Sequence, residues 1–233
     1  WFNKNKIMAT PTRILSTKVL LGHQKQALTD IGLEVLESNF IEVETKNFEL
    51  KGIKNNLIFT SQNAVRSFLT HPKFEENKSD LQSKKAFCVG VKSKTILTDA
   101  GFEVVAYADY ASDLTEIICL IYSNESYTFF SGNLRKETLP LALKDAGIEF
   151  NEIEVYETQL KPHKIKEAVD AILFFSPSGV ASYLKENTIK KEMCFCIGET
   201  TAEALENKHI KNIVIAEYPS VENVITEVKE YYN

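Results

Sequence analysis

The chain repeats itself, and that restricts its fold more than any other feature. Ile58–Leu69 reads IFTSQNAVRSFL and Leu173–Leu184 reads LFFSPSGVASYL, with five of 12 positions identical at an offset of 115 (173 less 58). The same offset joins Asp30-Ile31-Gly32 to Asp145-Ala146-Gly147, and Ser16 to Ser131. Further along the offset is 108, joining Cys88-Val89-Gly90 to Cys196-Ile197-Gly198 and Tyr110-Ala111-Ser112 to Tyr218-Pro219-Ser220. Two copies of one unit therefore fill nearly all of the 233 residues. Internal repetition has to be read before local pattern, because each copy must bury its own apolar face. A cleft between two copies is the default place for a ligand.

Each copy reads as strands alternating with helices. Short apolar runs at Arg13–Thr17, Leu57–Thr60, Ala86–Val89, Tyr127–Phe130, Ala171–Phe175 and Cys194–Ile197 are each followed by a helical pattern. That alternation predicts parallel βαβ units, hence an α/β fold. Two further segments, Phe40–Thr45 (FIEVET) and Ile153–Thr158 (IEVYET), resemble each other and alternate like strands. They lie between successive units, and paired as a short ladder they would make the N-terminal unit part of a discontinuous domain with the C-terminal third. A division into two sequence-contiguous halves fits the repeat equally well.

Composition excludes several functions. Net charge is −5, which argues against general nucleic-acid binding. It leaves anionic small molecules open, since backbone N–H groups at helix starts attract anions without charged side chains. Cys88, Cys119, Cys194 and Cys196 form no CxxC pair, and His23, His71, His163 and His209 are scattered, so buried reduced thiols are expected and a metal site is not. The longest apolar run, Ile117–Tyr122, is far too short to span a bilayer. Trp1–Arg13 lacks the apolar core of a signal peptide, and Met8 is a candidate start with a leader before it.

The candidate site residues stand where runs of strand type give way to helix type. Ser176-Pro177-Ser178-Gly179-Val180 places a capping Ser, a first-turn Pro and accessible amides at a helix start, and Ser61-Gln62-Asn63-Ala64 is its first copy. Ser131-Gly132-Asn133-Leu134-Arg135 is read as another helix start, with Gly132 allowing close backbone approach and Asn133 and Arg135 able to address a carboxylate. Gly198-Glu199-Thr200-Thr201-Ala202 clusters two hydroxyls and several amides, with Thr200 as the expected cap. Any of these alone is equally an ordinary cap or tight turn. Tyr156, the only tyrosine in the two bridging segments, is either a packed aromatic or a proton donor. No P-loop, GxGxxG, paired carboxylates or nucleophile–histidine arrangement occurs.

In order and spacing, the runs IFTSQNAV, SGNLRKETLPLALKDAGI, VYET, FFSPSGV and IGETTAEAL resemble the uroporphyrinogen-III synthase family over almost the full chain. Two positions depart: the family commonly has Pro where Glu199 stands, and SPR where Ser61-Gln62-Asn63 stands. The resemblance implies two similar parallel-sheet, flavodoxin-like α/β/α domains joined by a two-stranded ladder. They would comprise 1–41 plus 157–233 and an inserted 42–156, with linker strands near 40–45 and 153–158. It implies a cofactor-free cytoplasmic lyase of haem biosynthesis, a monomer without membrane or nucleic-acid partners. The substrate would be the linear tetrapyrrole hydroxymethylbilane, handed over by hydroxymethylbilane synthase.

The implied reaction closes hydroxymethylbilane to uroporphyrinogen III with inversion of ring D and loss of water. Uncatalysed closure gives the uninverted isomer, so the protein's main task would be control of conformation. Binding would run through backbone amides at Ser61, Ser131, Gly132, Asn133, Leu134, Ser176, Ser178, Gly179, Val180, Thr200, Thr201 and Ala202, with Tyr156 as the acid. The rival reading is a non-catalytic two-domain metabolite- or anion-binding module with hinge closure. A third, a nucleotide-sugar transferase, has no nucleotide fingerprint behind it.

Overall fold

The computed structural model describes residues 11–233, so the reading of Met8 and its leader lies outside the described residues. In chain order the strands are β1 (Arg13–Ser16), β2 (Glu34–Glu37), β3 (Ile41–Thr45), β4 (Asn56–Phe59), β5 (Lys85–Val89) and β6 (Glu103–Ala108). They continue with β7 (Tyr127–Gly132), β8 (Phe150–Leu160), β9 (Ala171–Phe174), β10 (Met193–Cys196) and β11 (Ile213–Ile215). The helices are α1 (Gly22–Thr29), α2 (Gln62–Leu69), α3 (Lys78–Gln82), α4 (Val91–Asp99), α5 (Ala111–Ile121), α6 (Thr138–Asp145), α7 (Pro177–Glu186), α8 (Glu199–Glu206) and α9 (Val221–Tyr232).

The chain divides into two compact units. One runs up to Glu42 and resumes over Leu160–Asn233; the other is Val43–Gln159. The first holds a parallel sheet ordered β11-β10-β9-β1-β2. The second holds β8-β7-β4-β5-β6, also parallel, with β3 added beside β8. Matching β9 with β4, β10 with β5, β11 with β6, β1 with β7 and β2 with β8 makes the two orders identical. The sequence offsets of 115 and 108 are thus one topology written twice, cut open at different points.

Each sheet is apolar on both faces because helices cover both. In the first unit Ile14, Ala171, Leu173 and Phe195 pack with Val224, Ile225 and Val228 of α9, while Leu15, Ile172, Phe174 and Cys194 pack with Val180 of α7 and Leu205 of α8. In the second, Leu57, Phe59 and Phe130 pack with Val65 and Phe68 of α2 and Leu97 of α4. On the opposite face Ile58, Phe87 and Phe129 pack with Leu114 and Ile118 of α5 and Leu143 of α6. Central parallel strands buried on both sides need continuous apolar runs, which explains why the sequence displays them.

Two expectations change on the structure. The segment Ile153–Thr158 is part of an 11-residue strand, β8, whose first half pairs in parallel with β7, so it is a member of the sheet as well as a crossover. The segment after β7 is a turn, not a helix start: α6 begins only at Thr138, and the amide of Arg135 donates to the carbonyl of Gly132.

Candidate active site

Every candidate lies at or just beyond the carboxyl end of a parallel strand, apart from Tyr156 within β8. In each unit two central strands send their chains away in opposite directions, β1 and β9 in one, β4 and β7 in the other. Such switch points are where open α/β sheets bind ligands. Ser176 follows β9, and Ser61 and Ser131–Gly132 sit at the ends of β4 and β7.

The densest cluster is in the second unit. Gly132 and Tyr156 are register partners at a β-bulge that opens between Ser131 and Gly132. The Tyr156 ring lies directly on Gly132: a Cβ built there would come within 2.3–2.7 Å of three ring carbons. Gly132 is needed for space, because a side chain and this ring position are mutually exclusive. The side chain of Ser61 lies near the Tyr156 hydroxyl. Burial pushes the Tyr156 phenol up from its ordinary value, and the neighbouring Ser61 side chain opposes that in part. The ring also packs on the apolar cluster around Phe59 and Phe130. Ser61 meanwhile caps α2, accepting from the amide of Asn63 at 3.1 Å.

The residues around Gly132 are engaged within the fold. Asn133 donates its side-chain amide to the Thr158 carbonyl (3.2 Å), accepts from the Thr158 amide (2.8 Å), and sends its own amide to the Tyr156 carbonyl (3.3 Å). Ser131 is buried and donates to Glu152 at 2.6 Å. Arg135 grips both oxygens of Glu152, at 2.6 and 3.0 Å, and also Glu137. Its expected availability to a substrate carboxylate is therefore corrected: an internal carboxylate already occupies the guanidinium. Burial would raise Glu152, but the hydrogen bonds from Arg135 and Ser131 outweigh it and hold the carboxyl below its usual value.

In the first unit Ser176 caps α7, accepting from the Gly179 amide at 3.0 Å, with Pro177 in the first turn and Ser178 Oγ 3.0 Å from Ser176 Oγ. A side chain on Gly179 would meet Ser176 Oγ at 3.3 Å and Thr17 Oγ1 at 3.8 Å. The amides of Val180 and Ala202 donate to the carbonyls of Ser176 and Gly198, as first helical turns require, and both side chains are buried. Helix α8 starts at Glu199 and is capped by Gly198, which has no side chain to accept a bond, so Thr200 is not the cap. Thr201 is buried, and its hydroxyl has no hydrogen-bond partner.

Sequence reasoning missed Glu37 and Glu152. Glu37 accepts from the Leu20 amide at 2.8 Å and from Lys25 at 2.6 Å, tying the loop after β1 to β2. Glu152 ties the end of β7 and the loop after it to β8 in the same way. The two glutamates stand 115 residues apart, so the repeat itself was the signal. Among the described residues no group of three or more His, Cys, Asp or Glu could hold a metal ion. No helix among them is long and apolar enough to cross a membrane.

Residues 23–226 match the family described as Uroporphyrinogen-III synthase HemD. The chain belongs to the uroporphyrinogen-III synthase family. Uroporphyrinogen-III synthase of Saccharomyces cerevisiae is 24% identical over 209 residues, covering 76% of each chain. In fold, the chain is similar to uroporphyrinogen-III synthetase of Helicobacter pylori 26695 (TM-score 0.69, 24% identity, 94% of this chain and 99% of that one). A mutant uroporphyrinogen III synthase of Thermus thermophilus gives a TM-score of 0.67 at 16% identity, covering 94% and 98%. Membership of the uroporphyrinogen-III synthase family makes the chain an enzyme, a lyase of haem biosynthesis.

Proposed function

We propose that this chain converts hydroxymethylbilane to uroporphyrinogen III, with Tyr156 as the proton donor. The observation that carries the reading is the seat at the β4–β7 switch point: Gly132 admits the Tyr156 ring, and Ser61 stands near its hydroxyl. Burial keeps the phenol neutral, the form that can donate. The C–O bond of the hydroxymethyl group breaks as Tyr156 protonates the departing oxygen, and water leaves. The resulting electrophilic methylene is attacked by the substituted carbon of ring D, giving a spiro intermediate. Breaking the ring C–ring D methylene bond and reclosing at the other side of ring D, with loss of a ring proton, completes the inversion. Orientation supplies most of the acceleration, up to about 7–11 kcal/mol in favourable cases. Proton donation adds a factor of about 10²–10⁴.

Substrate carboxylates are held by strand-end groups: Ser61, Ser131, Gly132, Asn133 and Leu134 after β4 and β7, and Ser176, Ser178, Gly179, Thr200 and Thr201 after β9 and β10, while the amides of Val180 and Ala202 are already committed within their helices. The first-turn positions of α7 and α8 offer amides, while Val180 and Ala202 anchor those turns in the core. Thr201 brings a hydroxyl without an internal partner. On this reading the bilane comes from hydroxymethylbilane synthase, and the chain works as a cytoplasmic monomer with two domains, 1–41 plus 157–233 and 42–156.

The test supplies enzymatically made hydroxymethylbilane and analyses the uroporphyrin isomers after oxidation. Mostly isomer III, without added metal or nucleotide and unaffected by chelator, is expected; a product mixture matching the buffer control refutes the reading. If amides do the binding, Ser178→Ala costs far less activity than Gly179→Leu. Equal and severe losses would count against backbone recognition.

A further inference from the structure

The second unit carries a cavity that the candidate active site does not use. Its volume is about 430 Å³, and it lies between residues 47–51, which follow β3, and residues 71–77, which follow α2. All of these belong to Val43–Gln159. The cavity is at the far end of α2 from Ser61: Ser61 caps the start of that helix, whereas the His71 amide donates to the carbonyl of Phe68 in its last turn. At about 1.5 Å of rise per residue, the eight residues of α2 hold the two places about 12 Å apart. Just past the cavity the first segment meets the amino-terminal end of the sheet, where the Lys54 amide donates to Thr128 Oγ1 near the start of β7. The cavity thus stands at the opposite end of the sheet from the candidate site.

One side chain braces both walls. The Lys73 amide donates to His71 Nδ1 at 3.1 Å, and His71 Nε2 stands 2.9 Å from the Phe48 carbonyl oxygen. An amide N–H only donates and a carbonyl only accepts, so His71 is the neutral tautomer with its proton on Nε2. The imidazole also packs on the Phe48 ring, with centroids 4.5 Å apart, so the lining includes a joined pair of aromatic rings with Pro72 beside them. The charges that line the cavity do not cancel. Lys51 is matched by Glu49 at 3.3 Å, while Lys73 pairs with no carboxylate among the described residues. With His71 neutral, one uncompensated positive charge remains, in a chain whose net charge is −5.

We propose that this cavity is a second binding site, for a small organic anion built on one planar ring. The ring lies against Phe48 and His71, and the anionic group meets the ammonium of Lys73. The volume is near the lower end for small-molecule sites, about 300–1,000 Å³, and so suits a single substituted ring. Because His71 ties one wall to the other in the free protein, little ordering is left to be done on binding.

The test titrates the full-length chain with benzoate and follows the backbone amides by NMR. Acetate, which has the charge without the ring, and benzamide, which has the ring without the charge, are the controls. Benzoate is expected to shift the amides of residues 47–51 and 71–77 saturably, with a dissociation constant of about 1 mM, a scale reasonable for so small a ligand. Acetate and benzamide should each bind about tenfold more weakly or worse, since each lacks one of the two contacts. Lys73→Glu should weaken benzoate about tenfold or more and leave the melting temperature near wild type, because Lys73 is exposed. Benzoate that shifts only amides elsewhere, that binds no better than benzamide or acetate, or that is held as tightly by Lys73→Glu overturns the site. None of these readouts depends on isomer III formation, so this inference and the functional reading fail separately.

Discussion

Replacing Gly132 by Ala puts the active-site geometry to its sharpest test. The new methyl carbon would start 2.3 Å from the nearest carbon of the Tyr156 ring, whereas ordinary contact begins near 3.4 Å, so ring or strand must move about 1 Å. The strand is poorly placed to yield: Gly132 pairs with Tyr156 in the sheet, and the next amide donates to the Tyr156 carbonyl. The ring therefore moves, off the cluster it packs against and away from Ser61. Overpacking of this kind costs about 1–3 kcal/mol of stability. A 1 Å misplacement of a catalytic group costs on the order of 10² in rate. The assay is isomer III formation from hydroxymethylbilane together with urea unfolding, for Gly132→Ala in the wild-type and Tyr156→Ala backgrounds. In the second background the ring is gone, so the stability cost of Gly132→Ala should fall below about 0.5 kcal/mol, as coupling between touching residues requires. A Gly132→Ala enzyme with wild-type rate and stability, or an equal stability loss in both backgrounds, refutes the seat.

Tyr156→Phe keeps the ring on Gly132 and removes the hydroxyl; turnover should fall by about 10²–10⁴, stability by no more than about 1.5 kcal/mol, and isomer III should remain the main product. Glu152 has its folded pKa held below the ordinary carboxylate value, so the stability it contributes is present above the unfolded pKa and is lost as pH falls through the folded one. Urea midpoints of wild type and Glu152→Gln should therefore differ most near neutrality and converge in acid; a constant gap would contradict the Arg135–Glu152 account. His209 has φ +62 and is the counterpart of Gly101, φ +87, at the offset of 108. His209→Gly should relieve a left-handed penalty of roughly 1–2 kcal/mol against an entropic cost of about 0.5–1 kcal/mol, raising the urea midpoint slightly; a lower midpoint would show the strain is absent.

The central strands were legible because burial on both faces favours unbroken apolar runs: Ala171–Phe174 and Leu57–Phe59 are fully buried. β2, β6 and β11 are not, since their partly exposed residues admit charge or leave only three apolar positions. The sites at strand ends were legible for the same topological reason, and capping at Ser61 and Ser176 follows from side-chain chemistry alone. What a glycine makes room for is another matter. Gly132 signals close approach, but that Tyr156 occupies the space depends on a bulge in the pairing with a residue 24 positions later (156 less 132). Arg135 looked available because Glu152, its partner, is distant in sequence and becomes a neighbour only when β7 and β8 pair.

The cut-open order of the first sheet has a consequence for biosynthesis. Ser16 of β1 pairs with Leu173 of β9, so the centre of that sheet cannot assemble until the ribosome has delivered the last third of the chain. Val43–Gln159 is contiguous and has no such wait. At about 5–20 residues per second it would be complete while β1 still lacks β9, its other neighbour in the sheet. Closing an unstructured loop of its length would cost about 4 kcal/mol. Once folded it holds its own ends together, with the Lys46 amide bonded to the Val155 carbonyl. The late-emerging strands are then tethered close to the first ones by a few residues of chain. The inserted unit thus acts as an internal template for the unit it interrupts, and variants that weaken its core, such as Phe59→Ala, should lower the yield of both units in translation.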